Sequence, residues 1–282
     1  MTLDDRPAPS SPGVTRPAGS RSPFLSLVLP TYNEKATLPQ MVPRLISTLE
    51  RVGCWFEIIV VDDDSPDRTW ELATEMASKD PRVRIVRRQG ERGLATAVVA
   101  GWKVAQGEVL GVMDADLQYP PEGLPQLLEV FADLAVDVAV ASRYAPGAKM
   151  GPWSFRREVI SRGAILLAKL ALPRALGGLR DPNAGYFVLR RRVIENVELR
   201  PVGFKILIEV LARGHWQRVV EMPALYEGRK EGASKLGARQ SLEFISHLTR
   251  LAWETRGRGR GRSLCVVGWG WGALLGSALL GG

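Results

Sequence analysis

The sequence predicts an α/β fold, a mainly parallel sheet with helices on both faces, extended by amphipathic helices and a C-terminal apolar segment. Three observations predict it. Five short, nearly unbroken apolar runs recur along the first half of the chain, and helix-length segments separate them. Both strongly acidic motifs fall directly after such a run, where ligands bind in open parallel sheets.

The runs are Phe24–Leu29, stopped by Pro30; Glu57–Val61, stopped by Asp62; Val83–Val86; Val109–Met113; and Val136–Ala141. The segments 35–51, 68–79, 92–106 and 121–133 between and after them read as helices. From about 155 the alternation lapses. Residues 156–172 combine basic residues with a broad apolar face at helical spacing. Strands near 184–190 and 217–222, with a helix near 203–213 between them, complete the domain. In 239–253, Leu242, Ile245, Leu248, Leu251 and Ala252 share one side of a second amphipathic helix. Each amphipathic helix either packs on the core or lies in a membrane interface.

The domain plan that results is a tail, 1–22; a catalytic-sized α/β domain, 23–237; the amphipathic helix, 238–255; a basic linker, 256–262; and an expected membrane helix, 263–282. The tail is rich in Pro, Ser and Gly with almost no large apolar side chains, and is expected to be flexible. It has no apolar core of a signal peptide. From Leu264 to Gly282 no residue is charged; as helix this run reaches about 28 Å, close to a bilayer's hydrocarbon thickness. The arginines of 256–262 before it fit a cytoplasmic flank.

Composition sets outer bounds. The 282 residues are 45% hydrophobic and 24% charged with a net charge of +8, enough apolar material for a sizeable core. Two cysteines, Cys54 and Cys265, make no disulfide framework or zinc spacing, which points to a reducing compartment. Only two histidines occur, His215 and His247, which argues against a histidine metal centre or triad. No GxxxxGK[ST] phosphate loop is present. Gly268-x-Gly270-x-x-Ala273 imitates a dinucleotide fingerprint, but too few residues follow for a βαβ unit. Arginine–glycine runs also bind RNA; beside an apolar stretch, contact with anionic lipid is the better reading, and no nucleic acid is expected.

The residues that carry chemistry begin with Asp114, Asp116 and Gln118. In an extended chain, residues two apart point the same way, so two carboxylates and an amide oxygen converge. That oxygen-only set suits Mg²⁺ or Mn²⁺, which shares its coordination with substrate phosphates. In Val61-Asp62-Asp63-Asp64-Ser65-Pro66-Asp67, four acids in six residues need donors nearby. Asp67 is read as a helix cap, whereas Asp62 and Asp63 divide evenly between structural and ligand roles. Pro30-Thr31-Tyr32-Asn33-Glu34 is, alone, only a strand stop and a helix start.

Taken together, LPTYNE (29–34), VVDDDSPD (60–67), RGLATAVVAG (92–101) and MDADLQYPPE (113–122) resemble the inverting family 2 glycosyltransferases of GT-A fold, a Rossmann-like architecture. SRY (142–144), REVISRGA (157–164), RDPNAGYFVLRR (180–191), GFKILIE (203–209) and EGASKLG (231–237) are similar to the dolichol-phosphate mannose synthases, in the archaeal and bacterial form with C-terminal membrane helices. The likeness spans roughly residues 24–255. It implies that Pro30, Tyr32, Glu34, Val61 and Asp63 hold a nucleotide's base and ribose. Asp114, Ala115 and Asp116 would meet the diphosphate, with Asp114, Asp116 and Gln118 around the metal. Arg229 and Lys235 would close over the donor, and Lys205 would line the site. Arg143, Arg157 and Ser161 would receive the acceptor phosphate, making Asp116, Arg143 and Arg157 the catalytic residues. Two departures are Asp64, commonly Gly, and Ala233-Ser234, commonly Glu-Ser.

Alone, Arg143 and Arg157 also read as surface charges, Lys205 as a lysine snorkelling from an apolar helix, and Asp181 before Pro182 as a turn residue. The activity implied is metal-dependent transfer of mannose from GDP-mannose to dolichyl or another polyprenyl phosphate, with inversion, at the cytoplasmic face of a lipid bilayer. One alternative is a UDP-glucose:undecaprenyl-phosphate glucosyltransferase. Another, of a different class, is an Arg-rich nucleic-acid-binding protein.

Overall fold

The computed structural model describes residues 24–151, 155–227, 238–255 and 265–267. The first half runs β1 (Leu25–Thr31), α1 (Leu38–Val52), β2 (Phe56–Asp62), α2 (Thr69–Lys79), β3 (Val83–Arg87), α3 (Leu94–Val104) and β4 (Val109–Val112). After it come α4 (Leu124–Glu129), β5 (Val138–Ser142), β6 (Lys149–Met150), α5 (Phe155–Ala171), α6 (Pro173–Leu176) and β7 (Phe187–Arg190). The last elements are α7 (Ile206–Arg213), β8 (Val219–Pro223), β9 (Leu225–Tyr226), α8 (Ala238–Glu254) and β10 (Cys265–Val267).

Eight strands form one sheet in the order β10-β8-β5-β7-β4-β1-β2-β3, and β6 pairs with β9 in a small second sheet. All neighbours in the large sheet are parallel except β7, which is antiparallel to β4 and β5. The sheet is therefore mixed, though mainly parallel. Successive residues face opposite cores. Val28, Ile59 and Val61 join α3, α6 and α7 on one face, whereas Leu27, Leu29, Ile58 and Val60 pack with α1 and α4 on the other. Burial on both faces explains why these strands read as unbroken apolar runs.

Strand order reverses beside β1: the chain runs β1 to β3 on one side, then returns to place β4 on the other. The crevice beyond the carboxyl ends of β1, β2 and β4 is where such folds bind ligands. Both acidic motifs open there.

Several expectations need correction. Pro30 does not stop β1, which continues to Thr31. The Val28 carbonyl accepts from Met113 on the β4 side, so Pro30, two residues on, faces the same side beyond the last β4 pair. Its missing N–H therefore breaks no ladder bond there. The helix expected over 121–133 is a short α4 between two 3₁₀ turns, 121–123 and 130–132. Of the membrane helix expected over 263–282, only Cys265–Val267 is described, and these β-branched-rich residues form an edge strand beside β8 instead. No described helix is long and apolar enough to cross a membrane. The tail 1–22 and the linker 256–262 lie outside the described residues.

The two amphipathic helices divide the alternatives left open for them. On α8, Phe244, Leu248 and Leu251 are buried in the core, while Leu242, Ile245 and Trp253 are exposed. Of the five positions expected on one side, Leu248 and Leu251 are therefore buried while Leu242 and Ile245 are exposed, so they do not act as one face. On α5, only Ile165 and Ala168 are buried; Phe155, Val159, Ile160, Leu166, Leu167 and Leu170 all face outward.

Candidate active site

The DADLQ motif leaves β4 at Met113. It is a turn and not the extended run expected: Leu117 has φ of 60°, and the Gln118 N–H donates back to the Asp116 carboxylate at 3.1 Å. A left-handed Leu is costly, by roughly 1 kcal/mol or more, and such residues gather at functional sites. From this motif, Gln118 meets Tyr226 of β9. The Tyr226 hydroxyl donates to Gln118 Oε1 at 2.8 Å, and the Glu227 N–H donates to the Gln118 carbonyl at 2.8 Å. Burial pushes the Tyr226 phenol above its ordinary pKa; Arg157 and Arg143 oppose this, while Asp116 and Asp114 add to it.

The motif offers two carboxylates and an amide, and among the described residues no group of three His, Cys, Asp or Glu side chains could hold a metal. That donor set fits a hard, partly hydrated cation completed by phosphate oxygens. The fit is supported at Gln118, which is 8% exposed and whose Nε2 has no hydrogen-bond partner among the described residues. A half-turn of the amide, indistinguishable in shape, would present the carbonyl oxygen there.

Gly185, in the RDPNAG segment, backs Asp114. A Cβ at Gly185 would lie 2.7 Å from Asp114 Oδ2. Gly185→Ala is therefore expected to displace that carboxylate and weaken Mn²⁺ binding about tenfold, read by electron paramagnetic resonance of free Mn²⁺, with secondary structure unchanged.

At the ends of β1 and β2, Pro30, Tyr32, Glu34, Val61 and Asp63 lie side by side, because Pro30 pairs with Val61 and Thr31 with Asp62. The acids here are already engaged. Buried Asp62 accepts from Thr31 Oγ1 at 2.9 Å, the Ser65 N–H at 2.8 Å and Ser65 Oγ at 2.6 Å. Asp63 accepts from Arg88 Nε and from the Gly93 N–H, both at 2.7 Å. Asp67 accepts from the Thr69 N–H at 3.0 Å, tying down the start of α2, and from the Lys35 N–H at 3.1 Å. Asp64 stands at φ 54°, a left-handed conformation that Gly adopts without strain; its carboxylate meets Arg87 at 2.6 Å, and Arg87 lies over the Trp70 ring. Tyr32 carries Arg92 over its ring, 4.8 Å from the centroid.

On the other side of the crevice, Arg143 follows β5 and is not a surface charge. Asp181, fully buried, accepts from its Nε and Nη2, each at 2.7 Å, and from its N–H at 3.1 Å. Burial opposes the Arg143 charge, but the Asp181 bonds outweigh it and hold its pKa above the ordinary guanidinium value. Sequence reasoning passed over Asp181 as a turn residue, whereas the structure makes it the buried partner of Arg143, a candidate site residue. It is set in place by Glu221 of β8, which accepts from the Asp181 N–H at 2.8 Å and the Arg180 N–H at 2.7 Å. Arg157 of α5 donates to the Tyr226 oxygen at 3.1 Å, and Tyr144 donates to Ser161 one turn along α5 at 2.9 Å. Arg143 lies 5.6 Å from the Tyr144 ring and 5.8 Å from that of Tyr226. Arg143, Arg157 and Ser161 are thereby gathered around two tyrosines.

Lys205 precedes α7 and does not snorkel from its middle; its Nζ donates to the Asn183 carbonyl at 2.9 Å. Burial, with the Arg143 charge beside it, pushes its pKa down to about 8, against Asp181 and Asp114. Ala115 is buried beneath the motif. Arg229 and Lys235 lie outside the described residues. Neither histidine is at the site; His247 is buried against Glu209 at 2.7 Å between α8 and α7.

A switch-point crevice with an acidic turn on one wall, and Arg143 and Arg157 on the other, is the arrangement of a ligand-binding site in an α/β enzyme fold. Residues 26–198 match the family described as glycosyl transferase family 2, and the chain belongs to that family. It is 47% identical over 231 residues to the dolichol-phosphate mannosyltransferase of Pyrococcus furiosus, covering 82% of this chain and 64% of that protein. The chain thus spans just under two thirds of that relative's length. It is 36% identical over 236 residues to the dolichol-phosphate mannosyltransferase of Saccharomyces cerevisiae, covering 80% of this chain and 86% of that one. It is also 36% identical over 241 residues to the polyprenol monophosphomannose synthase of Mycolicibacterium smegmatis, covering 82% and 87%. Among solved structures, the fold matches glucosyl-3-phosphoglycerate synthase from Mycobacterium tuberculosis in complex with Mn²⁺, uridine-diphosphate and phosphoglyceric acid, with a TM-score of 0.60, 18% identity and coverage of 82% and 78%. Mannosyl-3-phosphoglycerate synthase from Rubrobacter xylanophilus matches with a TM-score of 0.60, 21% identity and coverage of 86% and 77%. These neighbours establish the GT-A fold.

Proposed function

We propose that the protein transfers mannose from GDP-mannose to dolichyl or another polyprenyl phosphate with inversion, at the cytoplasmic face of a bilayer, using Mg²⁺ or Mn²⁺. The observation that carries this reading is the meeting of Arg157, Tyr226 and Gln118, which sets an arginine for one phosphate beside an acidic motif for another. The named mannosyltransferases among its relatives support the sugar and the lipid phosphate.

Asp114, Asp116 and Gln118 would hold the cation, and the crystallisation of a structural neighbour with Mn²⁺ supports a divalent ion. When bound, such an ion neutralises charge on a diphosphate leaving group. Pro30, Tyr32, Glu34, Val61 and Asp63 line the place for the nucleoside, Ala115 lies against the diphosphate, and Lys205 adds a positive charge. Arg229 and Lys235 are proposed to cover the donor phosphates. On the acceptor side, Arg143, held by Asp181, and Arg157 orient the lipid phosphate with Ser161. That phosphate has a second pKa near ~6, so at neutral pH it is largely a dianion and attacks without a general base. Displacement from the face opposite the leaving diphosphate inverts the anomeric carbon.

The outward apolar face of α5 supports the bilayer as partner: Arg157 and Ser161 sit on the same helix, so burying that face in the headgroup region brings the lipid phosphate to them. Ile160→Glu with Leu170→Glu is expected to cut sedimentation with anionic vesicles severalfold. Because both side chains are exposed, 67% and 70%, the unfolding midpoint should hardly move.

The activity test supplies the full chain in detergent with Mn²⁺, dolichyl phosphate and labelled GDP-mannose or UDP-glucose in parallel. Label entering the organic phase from GDP-mannose alone establishes the reading. Label from UDP-glucose alone overturns the sugar, and no lipid product from either overturns the acceptor.

A further inference from the structure

The short segment Asp181–Gly185 joins the two walls of the crevice. At its start Asp181 holds the Arg143 guanidinium through both carboxylate oxygens, each at 2.7 Å. At its end Gly185 stands so close to Asp114 that a Cβ there would lie 2.7 Å from Oδ2. Asn183 is midway. Its main-chain carbonyl accepts from Lys205 Nζ at 2.9 Å, and that ammonium is near enough to Arg143, Asp181 and Asp114 for all three to act on its pKa. A sugar passing from a diphosphate at the Asp114 motif to a phosphate at Arg143 crosses the same interval.

Asn183 is 3% exposed, and its Oδ1 is buried with no hydrogen-bond partner among the described residues. An asparagine in a turn usually serves that turn, bonding to the main chain nearby. Here the turn is held by other groups. The Glu221 carboxylate accepts from the Arg180 and Asp181 N–H groups, the Ala184 N–H donates to the Asp181 carbonyl at 3.2 Å, and Lys205 ties down residue 183 itself. A buried amide oxygen left alone is costly, and native structures pair nearly all such groups with protein, water or ligand. A sugar hydroxyl matches an amide on both counts, since it donates to a carbonyl oxygen and accepts from an N–H. A phosphate dianion brings Oδ1 no proton. We infer that Asn183 is a sugar-binding residue, its amide taking a hydroxyl of the transferred hexose between the Asp114 motif and Arg143. The inference rests on the proposed donor and acceptor ends of the crevice. Its consequence is that Asn183 contributes to the choice of hexose, because a sugar lacking that hydroxyl, or presenting it elsewhere, leaves the amide unpaired.

The test is titration calorimetry of GDP-mannose and of GDP into the full chain in detergent, with saturating Mn²⁺ and no acceptor, so that no turnover is needed. Asn183→Ala is expected to bind GDP-mannose about tenfold more weakly, the loss of one hydrogen bond, and GDP as the wild type does. Its unfolding midpoint without ligand should hold or rise, because the change removes a buried group that had no partner. Asn183→Leu, closer in size, repeats the measurement without opening a cavity. GDP-mannose analogues each lacking one hydroxyl then locate the contact: one of them should lose about tenfold with the wild type and nothing further with Asn183→Ala. Variants that weaken GDP and GDP-mannose alike, or neither, overturn the inference. So does a variant that loses stability while GDP-mannose binding stays intact, which marks the amide as structural and paired through water. A wild type that binds UDP-glucose and not GDP-mannose overturns the donor reading, and UDP-glucose against UDP then decides on Asn183 by the same rule. Binding of neither donor overturns both.

Discussion

The Asp116→Ala variant is expected to lose at least about a thousandfold in kcat/KM for transfer to polyprenyl phosphate, with little change in unfolding midpoint. The catalytic part of that expectation is electrostatic. A cation at the motif contributes several kcal/mol to a transition state in which a diphosphate departs, and each 1.36 kcal/mol is a factor of ten. The structural part is small because Asp116 is only half-buried, and the bond it accepts from the Gln118 N–H is worth about 1 kcal/mol. Removing one of two neighbouring carboxylates also relieves repulsion with Asp114 in the unliganded protein. Thermal unfolding and transfer assays on the same preparation separate the two effects. An active Asp116→Ala enzyme would remove the metal assignment.

Asp181→Ala is expected to be damaging in both respects. Arg143 has a side chain 10% exposed, and its guanidinium fork is matched by both Asp181 oxygens. Removing the carboxylate takes both bonds of the fork from a buried cation, at a cost of about 3–5 kcal/mol, and misplaces the arginine proposed to hold the acceptor. Stability and function are separated by the double variant Asp181→Leu with Arg143→Met. Replacing both charges with apolar groups of similar size is often near neutral for stability, so the urea midpoint should recover most of what the single change loses. Transfer should stay lost, because the lipid phosphate has no arginine there. A double variant that regained transfer would show that the pair serves the fold alone.

Residue by residue, the site was legible to uneven depth. Asp114, Asp116 and Gln118 stood out because chemistry and position coincided in one short stretch. Asp62 and Asp63 could not be divided between roles: Ser65, in the same motif, supplies two of the donors to Asp62, but Thr31 and both donors to Asp63, Arg88 and the Gly93 N–H, come from other turns of the chain. The Leu117 turn was hidden too: nothing in the residue type favours a left-handed backbone, and the surrounding structure imposes it. Arg143 looked like a surface charge and Asp181 like a turn until β5 and the RDPNAG segment were brought together, with 38 positions between the two residues.

By itself the sequence determined what is local. Unbroken apolar runs announced strands buried on both faces, helical spacing announced the segments between them, and two acidic motifs at strand ends located the crevice. These follow because backbone preference and side-chain period act over a few neighbouring residues. Only the tertiary structure decided that β7 enters antiparallel between β4 and β5, that α5 turns its apolar side outward while α8 buries half of its own, and that Tyr226 meets Gln118 across 108 positions. Those outcomes depend on which distant surfaces meet when the whole core closes, and burial then converts each meeting into a required pairing, because a buried polar group left alone is costly.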